Sequence, residues 1–270
     1  MSKQAICLAT VVTMMLIGAG ADAFAQRIEV KGGDFTATTY LTEAERAQIR
    51  QGGYLRGFGV ADYTFSVPQA GWYELWVQAA DWPTDLYLDG EYLLNTPFAS
   101  GVWAPKEEAE KVLNLDLTAG EHTLRFDRSW PFGLPWMSRF FLEPSTTAAG
   151  MVRVAPIKDY LAFRLGERFP VELKAGRLPQ AYALTLTMTD VHTGRVAHTL
   201  QQQIPAGEGT YQETLTIPTD LEGVFDLKVT DAEGNPVDRI TQYLVVDTQH
   251  RPTPGTKMEK ELVASPTSGQ

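Results

Sequence analysis

The feature of this chain that most constrains its fold is a repeated alternation of apolar and polar residues in short runs. Residues 72–80 (WYELWVQAA) show it, with Tyr73, Leu75 and Val77 at every second position. A period of two places these side chains on one face of a β-strand. Comparable runs recur between turn residues up to about residue 246. The sequence therefore predicts an all-β chain built from antiparallel sandwiches.

Turn residues divide these runs at short intervals. Asp89-Gly90 stands between two short apolar runs and predicts a two-residue β-hairpin. Ala119-Gly120 divides residues 111–126 into two further strands, which we interpret as a second hairpin. A last strand is predicted over residues 139–144.

One segment has helical rather than strand character. In residues 41–53, Thr42 precedes Glu45 by three positions, and Gly52-Gly53 follow the helix-forming residues. This is a capping box followed by a glycine stop. We expect a two-turn helix resting on the sandwich.

The first 25 residues have the pattern of an export signal. Lys3 precedes an apolar run that is short for a membrane span, and Ala23 and Ala25 supply a cleavage site. We expect residues 1–25 to be cleaved, leaving a secreted or periplasmic protein without membrane insertion; a retained anchor is the alternative. The single cysteine, Cys7, lies in this segment, so the mature chain has no disulfide, thiol nucleophile or cysteine-bound metal.

A small, polar stretch at residues 143–152 divides the remaining chain. We expect one sandwich over residues 26–145 and a second over residues 151–248. The second has about seven predicted strands, the number found in immunoglobulin-like or fibronectin-like sandwiches. The tail, residues 249–270, is polar and proline-rich and is predicted to be disordered.

Charge and motifs exclude several functions. The net charge of −10 and pI of about 4.9 argue against nucleic acid and anionic membranes as partners, since both need clustered Lys and Arg. The four histidines lack metalloprotease spacing, and the sequence has no GxSxG elbow and no glycine-rich phosphate loop. Paired carboxylates for glycoside hydrolysis stay open, since 33 acids offer many pairs, and an unrecognised hydrolase is therefore kept as an alternative. We expect a non-catalytic protein without an organic cofactor.

Three acids raise the question of a metal. Asp81, Asp85 and Asp89 are spaced by four residues, whereas an EF-hand needs ligands two residues apart. An EF-hand calcium loop is therefore not predicted at these residues. A calcium site assembled from distant loops stays open.

Tryptophans beside proline or glycine are the best candidates for a ligand-binding surface. Trp130 and Trp136 each adjoin a proline, and Trp103 lies in a predicted loop. A flat ring on a stiff backbone can stack on the C–H face of a sugar. The polar side chains predicted to accompany them are Asp81, Asp127 and Arg128.

Other aromatic residues belong to predicted strands. Trp72 and Trp76 are expected in the core or on the sheet surface. Phe140 and Phe141 are adjacent, so their rings face opposite ways and at least one is expected in the core.

The segment from residue 27 to residue 144 resembles the β-jelly-roll carbohydrate-binding modules of families six and thirty-five, which have a galactose-binding-like fold. The resemblance rests on the stretches RIEVKGGDF, YTFSVPQAGWYELWVQAAD, LYLDGEYL, LNLDLTAGEHTLRF and WMSRFFLEP, in this order. It implies strand pairs joined at VPQAG and TAGEH and a ligand cleft among the loops at one end. The implied aromatic contacts are Tyr54 and Trp130 or Trp136.

The same resemblance implies a structural calcium bound through Glu29. Ser138 and Arg139 stand where family members carry the second acidic ligand. The second half of the chain resembles the immunoglobulin-like accessory sandwiches of secreted polysaccharide-degrading enzymes.

Beside an unrecognised hydrolase, two functions follow from the sequence and both stay open. The first is an exported glycan-binding protein that stacks its ligand on aromatics of the first sandwich. The second is a structural or protein-interaction module, such as a non-catalytic subunit, that acts with a partner protein and binds no sugar.

Overall fold

The computed structural model describes residues 26–39, 41–57, 59–80, 84–96, 108–128, 134–156 and 161–246. In these ranges the chain forms two mainly antiparallel β-sandwiches and one α-helix. The predicted all-β fold class is confirmed. No helix in the described part of the chain is both long and apolar enough to cross a bilayer. The predicted signal peptide and the predicted disordered tail lie outside the described residues.

The N-terminal sandwich contains ten described strands and the helix α1 (Glu43–Gly52). The strands are β1 (Ile28–Lys31), β2 (Ala37–Thr38), β3 (Leu55–Gly57), β4 (Gly59–Val67), β5 (Gly71–Ala80), β6 (Thr84–Leu88), β7 (Glu91–Thr96), β8 (Glu110–Leu117), β9 (Gly120–Arg128) and β10 (Leu134–Pro144). One sheet has the order β1-β10-β5-β8, with β3 also paired to β10, and the other has the order β2-β4-β9-β6-β7. We call them the front sheet and the back sheet.

The C-terminal sandwich follows a short 3₁₀ turn, Ala149–Met151, and contains eight described strands rather than about seven. They are β11 (Val152–Pro156), β12 (Ala162–Arg164), β13 (Phe169–Ala175), β14 (Tyr182–Asp190), β15 (Val196–Ile204), β16 (Tyr211–Ile217), β17 (Gly223–Asp231) and β18 (Pro236–Val246). One sheet has the order β11-β13-β16, and the other has the order β12-β18-β17-β14-β15.

Each sandwich has its own apolar core. In the first, Tyr63, Phe126 and Phe140 pack edge to face or tilted, with ring centroids 5.4 to 6.1 Å apart. In the second, Phe163 and Tyr243 form part of a separate cluster. Burial of these rings, together with the aliphatic side chains of each core, stabilises the two sandwiches.

Local sequence signals predict some connections correctly and others wrongly. The Asp89-Gly90 hairpin is confirmed, because β6 pairs with β7 across it. The expected strand pairs at VPQAG and Ala119-Gly120 are wrong. The strands on either side of each turn form as predicted, but they join opposite sheets. At VPQAG the chain passes from β4 in the back sheet to β5 in the front sheet, and at Ala119-Gly120 from β8 in the front sheet to β9 in the back sheet.

The predicted helix is confirmed, with ten residues instead of two turns. Thr42 accepts a hydrogen bond from the Glu45 N–H, and the Glu45 carboxylate accepts one from the Thr42 N–H at 2.7 Å. Gly53 ends the helix in the left-handed region, with φ of 73°. Ile49, which is buried, anchors the helix to the sandwich.

A buried polar contact joins the two sandwiches. The Asn114 side chain of β8 is fully buried, and its Nδ2 donates to the carbonyls of Ala149 and Val152. Beside it, Asp238 Oδ2 of β18 accepts a hydrogen bond from the Val154 N–H at 3.0 Å. Burial raises the pKa of Asp238 to about 7, despite the opposing hydrogen bond from Val154. We call this contact the Asn114 joint.

The Asn114 joint predicts a pH-dependent stability. An acid whose pKa is raised in the folded state stabilises most below its unfolded pKa of about 3.9, and this stability falls as pH rises towards about 7. The loss runs at about 1.4 kcal/mol per pH unit up to about pH 7 and then stops. Between about pH 5.5 and about pH 8.5 the wild type should therefore lose about 2 kcal/mol through this group. Asp238→Asn should not show this loss, because an amide does not ionise. Urea unfolding at the two pH values measures it.

The matched control for this prediction is Asp226→Asn, on the neighbouring strand β17, which should keep the wild-type pH dependence. Equal pH dependence in wild type and Asp238→Asn would contradict the assignment of this loss to Asp238.

Candidate functional site

Four of the seven predicted ligand-binding residues lie in the described part of the chain. They are Tyr54, Asp127, Arg128 and Trp136. The other three, Asp81, Trp103 and Trp130, lie outside the described residues and stay predictions.

Trp136 and Tyr54 lie on the outer face of the front sheet. Trp136 precedes the fully buried Met137, so alternation turns its half-buried ring outward. Tyr54 precedes Leu55, which pairs with Met137, and 46% of the Tyr54 side chain is exposed. The guanidinium of Arg56, two residues after Tyr54, lies 5.7 Å from the centroid of the Trp136 ring. This aromatic and cationic group, Tyr54, Arg56 and Trp136, is the front-sheet cluster.

Asp127 belongs to the other side of the sandwich. It follows the fully buried Phe126 in β9, so it faces outward from the back sheet. There it lies opposite Asp85, and burial together with the Asp85 carboxylate raises the pKa of Asp127. The structure therefore does not bring Asp127 to the face that carries Trp136. Arg128 is half-buried at the end of β9, opposite Gly59.

The two phenylalanines face opposite ways, as predicted. Phe140 is fully buried in the core, and Phe141 lies on the outer face of the front sheet. The ring of Phe141 stacks on Trp76, with 6.1 Å between centroids, and the Arg27 guanidinium lies 3.5 Å from the Phe141 centroid. Sequence analysis did not find these arginine–aromatic contacts, because Arg27 and Phe141 meet only through the pairing of β1 with β10.

Glu29, the predicted calcium ligand, is held by two arginines. Its Oε1 accepts from Arg139 at 3.0 Å and its Oε2 accepts from Arg27 at 3.1 Å. The hydrogen bond from Arg139 is the main reason that the pKa of Glu29 is lowered. Two guanidinium groups are unsuitable neighbours for Ca²⁺, which needs several oxygen ligands. Within the described ranges, no three His, Cys, Asp or Glu side chains come together to hold a metal.

Two clefts formed by described residues lie between the sandwiches. One, of about 590 Å³, lies beside Trp76 and Lys111 and reaches Asp238. The other, of about 480 Å³, lies between Trp72 of β5 and Arg153 of β11. No sequence signal predicts these clefts, because their walls come from segments far apart in the chain.

The buried His122 pairs with the exposed Asp89 at the edge of the second cleft. His122 Nδ1 lies 2.7 Å from Asp89 Oδ2, and Nε2 lies 2.9 Å from the Thr118 carbonyl. Both ring nitrogens face acceptors, which favours the imidazolium form. Burial would lower the pKa of His122, but the hydrogen bonds to Asp89 and Thr118 outweigh it and raise the pKa.

The comparisons with known proteins extend to the fold only. No protein family and no curated protein matches the chain. A GH26-CBM35 β-(1,4)-mannanase of Podospora anserina is 18% identical, with a TM-score of 0.31, over 45% of this chain and 28% of its own. A GH2 β-galacturonidase of Eisenbergiella tayi is 12% identical, with a TM-score of 0.31, over 77% and 41%. A β-D-mannosidase of Dictyoglomus thermophilum is 13% identical, with a TM-score of 0.26, over 69% and 29%.

This chain thus spans less than half the length of each of these proteins.

The Asp89–His122 pair predicts a titration that NMR can follow. In the wild type the ring protons of His122 should titrate above pH 6.5, the ordinary value. Asp89→Asn removes the carboxylate but leaves the burial, so the pKa of His122 should fall. Because the folded pKa is raised, the stability from this pair is fully present below about pH 6.5 and is lost as pH rises through the folded pKa.

Asp226→Asn, which removes a carboxylate from the other sandwich, serves as the control and should leave the His122 titration unchanged. An unchanged His122 pKa in Asp89→Asn would contradict the role of Asp89.

Proposed function

We propose that this chain is an exported, non-catalytic carbohydrate-binding protein whose N-terminal sandwich stacks a saccharide on aromatic side chains. In this proposal the N-terminal sandwich acts like the jelly-roll carbohydrate-binding modules of families six and thirty-five. The C-terminal sandwich acts as an immunoglobulin-like accessory domain. Residues 1–25 direct export and are removed.

The observation that carries the proposal is the front-sheet cluster. Tyr54 and Trp136 project outward from neighbouring strands, one exposed and one half-buried. Aromatic rings placed in this way offer a rigid, amphipathic surface at little entropic cost, and the C–H groups of a pyranose can lie against them. Arg56 supplies hydrogen-bond donors beside the Trp136 ring, where sugar hydroxyls would lie.

Asp81 and Trp130, which lie outside the described residues, stay candidates for further contacts because they are close in sequence to β5 and β10. Trp136 pairs with Ala80, the last residue of β5, so Asp81 follows directly. Trp130 precedes β10 by a few residues. We expect weak binding, since an open and hydrated surface recovers little beyond the cost of association.

The test compares Trp136 variants in affinity gels containing soluble polysaccharides. Trp136→Phe keeps a flat ring and should retain most of the retardation. Trp136→Leu keeps apolar bulk without the ring, and should weaken binding by about ten-fold, as loss of an aromatic stack of about 1.5 kcal/mol implies. Tyr54→Ala should weaken binding in the same direction.

The control is Leu165→Ala, an exposed apolar residue of the C-terminal sandwich, which should bind as the wild type does. The proposal fails if no polysaccharide retards the wild type, or if Trp136→Leu and Trp136→Phe are retarded equally.

The Asn114 joint favours a second candidate, a rigid structural or interaction module that acts with a partner protein. A fully buried amide bonded to the carbonyl of Ala149 in the connecting turn and to those of Val152 and Val237 in the other sandwich favours one orientation of the two units. In that case the front-sheet cluster would be covered by a partner protein. Glycan binding that depends on Trp136 would decide against this candidate.

A further inference from the structure

The 480 Å³ cleft between the sandwiches has the composition of a ligand site. One wall is the outer face of the β11-β13-β16 sheet, which presents Arg153 and Lys174. The opposite wall comes from the N-terminal sandwich and presents Trp72, Glu91 and Asp116. Its volume falls within the range of about 300 to 1,000 Å³ that is usual for small-molecule sites.

Three of the six charged residues that line this cleft, Asp89, His122 and Lys174, are already paired. Lys174 Nζ lies 3.1 Å from Glu172, which also accepts from Gln212 at 2.7 Å. Asp89 is paired with His122. Arg153 differs, because no hydrogen bond or ion pair joins its guanidinium to any other residue in the described ranges.

Burial disfavours the charged form of the Arg153 guanidinium. Arg153 is half-buried, and burial lowers its pKa, although the more distant carboxylates of Asp238, Glu172 and Glu91 act in the opposite direction. An arginine stays protonated under these conditions, so its five N–H donors remain to be satisfied. The partner that matches their planar geometry is a carboxylate, which binds two of them side by side.

Trp72 gives the cleft a second recognition element. It lies on the outer face of β5, opposite Asp116 of β8. Its indole is held by the close approach of the C-terminal sandwich, since a side chain at Gly176 would place its Cβ 2.5 Å from Trp72 Nε1. A half-buried, immobilised indole is suited to stacking on the C–H face of a pyranose ring.

The acids of the N-terminal wall complete the polar lining. Asp116 and Glu91 are exposed acceptors that can bind sugar hydroxyls. A free inorganic anion would use Arg153 but would leave Trp72 without a contact. A ligand that satisfies the whole lining therefore has a carboxylate, an apolar ring face and hydroxyl groups.

We propose that this cleft binds an acidic saccharide, with Arg153 binding the carboxylate of a uronic acid residue and Trp72 stacking on its ring. The site is separate from the front-sheet cluster, so it does not depend on Trp136.

A pair of matched ligands tests the proposal on the intact protein. Methyl β-D-glucuronide and methyl β-D-glucoside differ only in the carboxylate at C6, and acetate supplies the carboxylate without the ring. Titration calorimetry gives the affinities, and the NMR signal of the Trp72 indole N–H reports the location. We expect the glucuronide to bind about ten-fold more tightly than either control and to shift the Trp72 signal.

Variants then assign the contacts. Arg153→Gln should weaken glucuronide binding by about ten-fold or more, and Arg153→Lys, which keeps the charge but not the planar fork, by less. Trp72→Phe should weaken it moderately. Arg177→Gln removes an exposed arginine elsewhere in the C-terminal sandwich and should have no effect. Binding at the front-sheet cluster is distinguished from binding in this cleft by the NMR readout, because it would not shift the Trp72 indole N–H signal.

Several results would overturn the proposal. They are equal binding of glucuronide and glucoside, acetate binding as tight as the glucuronide, unchanged affinity in Arg153→Gln, or no binding of the glucuronide at millimolar concentration. If Arg153→Gln does not fold, the comparison of ligands on the wild type and the Arg153→Lys variant still decides.

Discussion

The contact between the two sandwiches has one fully buried polar element, the Asn114 amide, which donates to the carbonyls of Ala149 and Val152 between the two clefts. A buried amide is costly unless it is bonded, so the contact favours a single arrangement of the two units. That arrangement places Trp72 opposite Arg153. The same contact carries Asp238, whose buried carboxyl group makes the arrangement sensitive to pH.

Strand alternation decides which face of its sheet each aromatic residue occupies. Tyr63, Phe126 and Phe140 face inward and form the first core, while Trp76, Trp136 and Phe141 face outward from the front sheet. Several outward rings are accompanied by arginines, as in the contacts Arg56–Trp136 and Arg27–Phe141. Cation–π contacts of this kind hold the rings in place and leave guanidinium donors beside them. Both proposed saccharide sites use this combination of an indole and an arginine.

Sequence signals predict a structure correctly where the residues that cause it are close together in the chain. The cap of Thr42 and Glu45 and the Asp89-Gly90 hairpin are local, because the residues that cause them are within a few positions of one another. Ala119-Gly120 reverses the chain as predicted, but a turn does not determine which sheet each strand joins. Asp127 is close in sequence to the candidate tryptophans, but alternation along β9 turns it outward from the back sheet, away from the front sheet that carries Trp136. Arg153 was not predicted at all.

The sequence by itself determined the all-β class, most strands, the helix and the faces of Phe140 and Phe141, because each follows from the spacing of side chains along a regular backbone. Only the tertiary structure decided that Glu29 is held between two arginines and that Trp72 faces Arg153. These pairs are separated by many residues, and their contact depends on sheet pairing and on the packing of one sandwich against the other. Such long-range packing has no local signature in the chain.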